Sequence, residues 1–167
     1  MAELTQKERL QPSLLDRLTD DNPSSRREAR DRWVLTLRQL RDAVLRDLTW
    51  LLNTDNMHAD ELADHPLVEK SVLNYGFPDL SGITATSIDA KELTRILRQV
   101  IRDFEPRLID KSVKVKVIVT EDQYNRNAVA FEIKADLWAQ PVPLDLLLKT
   151  EIDLETGHVT VKERSGQ

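Results

Sequence analysis

A chain of 167 residues and formal charge -5, its acids and bases interspersed, is long enough to bury a core without covalent staples and offers no broad cationic footprint for nucleic acid or anionic lipid. The absence of cysteine removes disulfides, thiol nucleophiles and thiolate metal sites. The opening residues carry charge where a signal peptide needs an apolar run, and no segment approaches the ~20 apolar residues of a membrane span, so a soluble, cytoplasmic protein with protein partners is expected.

Residues 1–23 read as a polar arm with one apolar cluster, Leu14, Leu15 and Leu18, introduced by Pro12 and closed by Asp20-Asp21-Asn22-Pro23. One helical turn with such anchors is a docking element, as well suited to its own domain as to a partner. Residues 24–167 read as a single domain. Ser25 and Glu28 have the spacing of a capping box, and Trp33, Leu37, Leu40, Val44, Leu48 and Leu51 follow at intervals of three and four, predicting a long amphipathic helix that runs to about Asn53. Val34, Leu45 and Leu52 add a second apolar line, so either the domain wraps this helix or a partner covers it; Trp50, on the other flank, is a weaker contact candidate. The arginines on or before it, Arg46 among them, are mixed with Glu28, Asp31, Asp42 and Asp47 and read as a solvated face laced with weak pairs.

Residues 55–83 are turn-rich, with a short helix expected over 66–73, capped by Asp64 and ended by Gly76. The stretch 74–82 then reads as an ordered loop whose apolar members pack while its glycines and proline turn the chain. A second helix is expected after the cap Asp89, with Leu93, Ile96, Leu97, Val100, Ile101 and Phe104 in near-ideal period. It stops at Glu105, because Pro106 bars the preceding residue from ordinary helix geometry. Beyond that corner, Val113, Val115, Val117 and Val119, then Val129, Phe131, Ile133, Ala135 and Leu137, alternate with polar residues and predict two half-buried antiparallel strands. Residues 146–154 and 158–162 form another pair across Glu155-Thr156-Gly157, where Gly157 can take positive φ. Helices first and strands afterward argue an α+β domain, its N-terminal helices packed on one face of a small antiparallel sheet.

Enzymatic templates are absent: the chain has no phosphate-binding glycine loop, no nucleophile elbow and no paired-histidine zinc helix. His58, Asp60, Glu61, Asp64 and His65 crowd one short stretch, but a polar loop of that composition reads as solvated, so neither a metal nor another cofactor is expected. Glu105 is the one acid in an apolar corner, between Phe104 and Leu108, as a glycosidase acid would be. Arg107, two residues on, would favour its ionised form, the wrong direction for a general acid, and a structural acid is the better reading. Trp138 falls on the polar register of its strand, where it serves either as an interface anchor or as the underside of a covering segment. Lys114 and Lys116 can guard a sheet edge while admitting an acidic partner strand.

Several of these pieces, taken in order, carry a resemblance. Pro12-Ser13-Leu14-Leu15-Asp16-Arg17-Leu18, the helix ending Leu45-Arg46-Asp47-Leu48 through Leu51-Leu52-Asn53-Thr54, the loop from Ser71-Val72-Leu73-Asn74-Tyr75-Gly76 to Leu80, Phe104-Glu105-Pro106-Arg107-Leu108 and the closing hairpin resemble the TssE family. That family is the type VI secretion system baseplate subunit, similar to the contractile-phage baseplate wedge protein called gene product twenty-five. The resemblance implies a non-enzymatic scaffold that sits with TssF and TssG, near TssK, on the cytoplasmic side of the inner membrane without entering it. There it would link the baseplate to the contractile sheath by presenting the surface on which the first TssB–TssC ring assembles. It also implies that Glu105, Pro106 and Arg107 hold the subunit in the baseplate. Leu14, Leu15, Leu18 and Trp138 complete the set of expected partner-binding residues. A lysozyme-like label attached to the family makes a peptidoglycan hydrolase the alternative, and a free-standing peptide-binding adaptor is a third reading.

Overall fold

The computed structural model describes residues 12–19, 24, 35–57, 62, 64–82, 88–118, 128–139 and 143–163. Among the described residues, the helices α1 (Leu14–Leu18), α2 (Leu37–Leu52) and α3 (Ala90–Phe104) precede the strands β1 (Lys114–Ile118), β2 (Ala128–Leu137), β3 (Leu144–Asp153) and β4 (Val159–Glu163). The strands form one antiparallel meander in the order β1-β2-β3-β4, with Val117 opposite Phe131, Phe131 opposite Thr150, and Thr150 opposite Val161. Alternation in β2 sends Val129, Phe131, Ile133, Ala135 and Leu137 to one face, where they are buried. The apolar stripes of both helices close that face: Leu40, Val44, Leu48 and Leu51 from α2, Leu93, Leu97, Val100 and Ile101 from α3. α2 packs along β4 and α3 along β1. The chain is therefore α+β, as its periodicities imply.

The start of α2 departs from expectation. Thr36, in extended conformation, caps the helix: its hydroxyl accepts from the N–H of Gln39 and the Gln39 side chain returns to the Thr36 N–H. That reciprocal pair starts the helix at Leu37, after Trp33 and Val34. Those two, with Ser25 and Glu28, lie outside the described residues. Asp89 caps α3 as predicted, accepting from the N–H groups of Lys91 and Glu92.

Residues 66–73 do not form the expected helix. Backbone bonds step by three, from Val68 to His65, Ser71 to Val68 and Asn74 to Ser71, giving turns that end in a 3-10 segment at Val72–Asn74. The buried Asn74 carboxamide ties the run down, accepting from the Met57 N–H and donating to the Glu69 carbonyl, each at 2.9 Å. Next, Phe77 N–H meets the Thr54 carbonyl at 2.7 Å beyond α2. Gly76, at φ 141°, makes that approach possible, because a Cβ there would stand 2.3 Å from the Thr54 carbonyl oxygen. At the same end of α2, the β3–β4 turn uses Gly157 at φ 71°, and the Asp153 carboxylate accepts from Glu155 and Thr156 N–H.

Candidate protein-docking site

Glu105 ends α3: its N–H still bonds the Ile101 carbonyl, while its own backbone (φ -120°, ψ 78°) has left the helix as Pro106 demands. Past the proline the chain is seized by the end of β2. Arg107 carbonyl accepts from the Trp138 N–H at 2.8 Å, Leu108 bridges Leu137, and Ile109 N–H bonds the Asp136 carbonyl. The backbone thus places Glu105, Pro106, Arg107 and Trp138 at one end of the sheet.

The charges at this corner are already paired. Glu105 is only 3 % exposed, and Arg107 grips both its oxygens, from Nε to Oε1 at 2.7 Å and from Nη2 to Oε2 at 2.5 Å. The Arg107 N–H adds a third bond to Oε1 at 3.1 Å. The same guanidinium reaches across to α2, where Nη2 donates to Asp47 Oδ2 at 2.6 Å. Burial by itself would push the Arg107 pKa down, but the bonds and charges of Glu105, then of Asp47, outweigh it and hold the guanidinium above the usual arginine value. Both oxygens of Glu105 are therefore occupied internally, which fits a structural acid. Pro106 is exposed and Arg107 keeps about a quarter of its side chain accessible, so these two are the corner's outward residues.

Asp47 extends the chain of charges. Its Oδ1 accepts from Arg46 Nε at 2.9 Å, and Arg46 Nη1 donates to Asp16 Oδ1 of α1 at 2.5 Å. Arg46 Nη2 also stands 2.7 Å from Asp47 Oδ1, but out of line for a hydrogen bond. Ser13 caps α1 and shares the Asp16 carboxylate. Burial pushes the Asp16 carboxyl up, yet its bonds from Arg46 and Ser13 bring it below the ordinary aspartate value. Tyr75 packs edge-on against Phe104 at 5.4 Å; its hydroxyl donates to the Asp47 carbonyl at 3.4 Å, and burial plus the charges of Asp47 and Glu105 raise its pKa.

Three carboxylates and two guanidiniums therefore run continuously from the corner to the N-terminal helix. The sequence alone puts Arg46 and Asp47 on a solvated helix face, and the fold instead makes them the link between two candidate sites. Little in the sequence signals this, since Asp47 and Arg107 are sixty positions apart. Leu14, Leu15 and Leu18 stand 71 %, 48 % and 74 % exposed, and Trp138 is 36 % exposed between buried Leu137 and Ala139. Also unforeseen, Leu67, Val72 and Leu73 project from the turn-rich segment into solvent. Of the crowded polar stretch, Asp64 and His65 are exposed, while His58, Asp60 and Glu61 lie outside the described residues. Among the described residues no cluster of metal-ligating side chains forms, and no helix is long and apolar enough to cross a membrane.

The family model of the baseplate wedge protein gp25 matches residues 38–142, more than half of the chain. The chain belongs to that family. The matched span holds α2, the 74–82 loop, α3, the Glu105–Arg107 corner, β1 and β2, so the charge chain from Arg46 to Glu105 and Trp138 all lie within family territory. Neither curated proteins nor solved structures supply a match. Membership supports a structural role in a baseplate, built through contacts with other baseplate components.

Proposed function

We propose that this chain is the TssE subunit of a type VI secretion system: a non-enzymatic wedge component, cytoplasmic and seated at the inner face of the inner membrane, that joins TssF and TssG near TssK and starts assembly of the TssB–TssC sheath. The family match over residues 38–142 carries the reading. The corner gives it a mechanism. Glu105 locks the Arg107 guanidinium in one orientation, and exposed Pro106 and the accessible flank of Arg107 then meet a partner with little entropy left to lose. Glu105 acts here by positioning Arg107, and Trp138 flanks the same surface.

For sheath attachment, strand addition at β1 is the favoured route. At the opposite edge of the sheet, the Asn53 carboxamide engages both backbone groups of Val159, each at 2.8 Å, and Arg41 holds Glu163, so α2 already occupies part of β4. On β1, Lys114 and Lys116 are exposed and would select an acidic strand. A lysozyme-like activity finds no support in the corner. Both oxygens of Glu105 are engaged as acceptors, and the nearest paired acid, Asp47, shares the same guanidinium instead of facing an open cleft.

Capture by purified TssF–TssG is the test. Arg107→Lys keeps a charge beside Glu105 but lacks the two-pronged fork, and should bind at least about tenfold more weakly while remaining folded. Unchanged capture and unchanged secretion would refute the proposed role of the corner, and clearing of cell wall by the purified protein would revive the hydrolase.

A further inference from the structure

The short helix α1 is seated inside out. At 100° per residue, Leu14, Leu15 and Leu18 share an arc of about 100° and Asp16 lies on the other side. Asp16 faces the domain and bonds Arg46, while all three leucines face solvent. A helix of five residues does not stand alone in water, so a polar tether is what orients this one. The Arg46 guanidinium that supplies the tether also lies 4.9 Å from the ring centroid of Trp50, which is 48 % exposed. One arginine side chain thus binds the leucine helix on one side and the indole on the other.

We propose that the leucine face of α1, with Trp50 at its rim, is the ligand of an apolar groove on another baseplate protein, and that Arg46 is the residue that positions it. This rests on the reading that the chain works by docking onto other baseplate subunits. Surface area selects the occupant. The three leucines and the indole expose on the order of 400 Å² of apolar surface. Two copies pairing face to face would bury about 800 Å², short of the roughly 1,200 Å² that marks a stable specific interface. A groove on a different chain also covers the flanks of the helix and supplies surface of its own, and anchors one turn apart suit that mode. The seat is continuous with the corner, because Asp47 accepts from both Arg46 and Arg107. Occupancy of the groove therefore favours the same arrangement of Asp47 that holds Arg107 in place.

The full chain, with purified TssF–TssG as probe, tests the inference. Leu14→Ser, Leu15→Ser and Leu18→Ser combined alter only exposed side chains, so the melting temperature should hold while affinity falls at least about tenfold. Arg46→Ala, with every leucine present, should lose about three- to tenfold. If the triple variant binds as the parent does while Arg107→Lys loses capture, the corner carries docking alone and the inference is overturned with the functional reading intact. If neither change matters, the functional reading fails as well. A parent that sediments as a dimer, made monomeric by the triple substitution, would assign the face to a second copy and also overturn the inference. Parent-like binding by Arg46→Ala would overturn the positioning role.

Discussion

Arg107→Ala should have a large consequence for stability. It removes two bonds from a carboxylate that is 3 % exposed and leaves Glu105, of the contacts described, only the backbone N–H at 3.1 Å. Breaking a buried ion pair from one side costs about 3–5 kcal/mol, because the remaining charge is neither solvated nor neutralised. The lower half of that range is expected here, since Arg107 is itself a quarter exposed and water can enter the space it vacates. Against a total stability of about 5–15 kcal/mol this is a large fraction, equivalent to a fall in melting temperature of roughly 6–15 °C for a domain of this size. Exchanging both partners for apolar residues of similar volume, Glu105→Leu with Arg107→Met, leaves no stranded charge and should recover to within about 1–2 kcal/mol of the parent. Urea unfolding followed by circular dichroism, with the slopes compared, reads both variants. A stability for Arg107→Ala within about 1 kcal/mol of the parent, or an apolar pair less stable than the single substitution, would contradict a stranded buried charge at Glu105.

Thr150 is fully buried between Phe131 and Val161 and its hydroxyl has no hydrogen-bond partner among the described residues, so Thr150→Val should stabilise by about 1 kcal/mol; a loss on denaturant unfolding would contradict this. Asn53→Ala strips two bonds from the Val159 backbone and should cost about 2 kcal/mol, with faster hydrogen exchange at the Val159 amide as its local signature. The seat of α1 should depend on acid. Folding holds the Asp16 carboxyl below its ordinary value of 3.8, so its contribution is complete above about pH 4 and disappears as pH falls through the lowered pKa. An NMR titration of the Asp16 carboxyl checks this, and a midpoint at or above 3.8 would contradict it.

Where one face of an element meets the core over several turns, the sequence was a reliable guide. The stripe of α3, the alternation of β2 and the stop at Pro106 each follow from local rules that the tertiary structure repeats. Boundaries were less legible, because Ser25–Glu28 and Thr36–Gln39 satisfy the same capping spacing and nothing local says which one begins α2. The 66–73 segment misled for a similar reason: its apolar residues have helical spacing, yet Leu67, Val72 and Leu73 meet no core and the backbone bonds close at three residues. Candidate partner residues could be named one by one from the sequence. Their connection could not, since it depends on α2 crossing beside the end of α3 and bringing Asp47 to Arg107.

That connection also bears on why the corner is charged. Apolar burial is indifferent to direction, and replacing a buried ion pair by well-packed apolar groups is often neutral or favourable for stability. A fork gripping Glu105 by two parallel bonds and Asp47 by a third is directional: it fixes the end of α3 relative to the middle of α2, and through the Arg107 carbonyl it fixes both relative to the last residues of β2. The three elements so aligned carry the exposed residues Pro106, Trp50 and Trp138 respectively. A partner that touches all of them reads the angle between two helices and a sheet, and misalignment by even one of the three would cost contacts that no change at the surface residues themselves could restore. On this argument the buried charges contribute more to the geometry of docking than to the stability of the fold, so the apolar exchange of Glu105 and Arg107 should separate the two, keeping the fold while weakening capture.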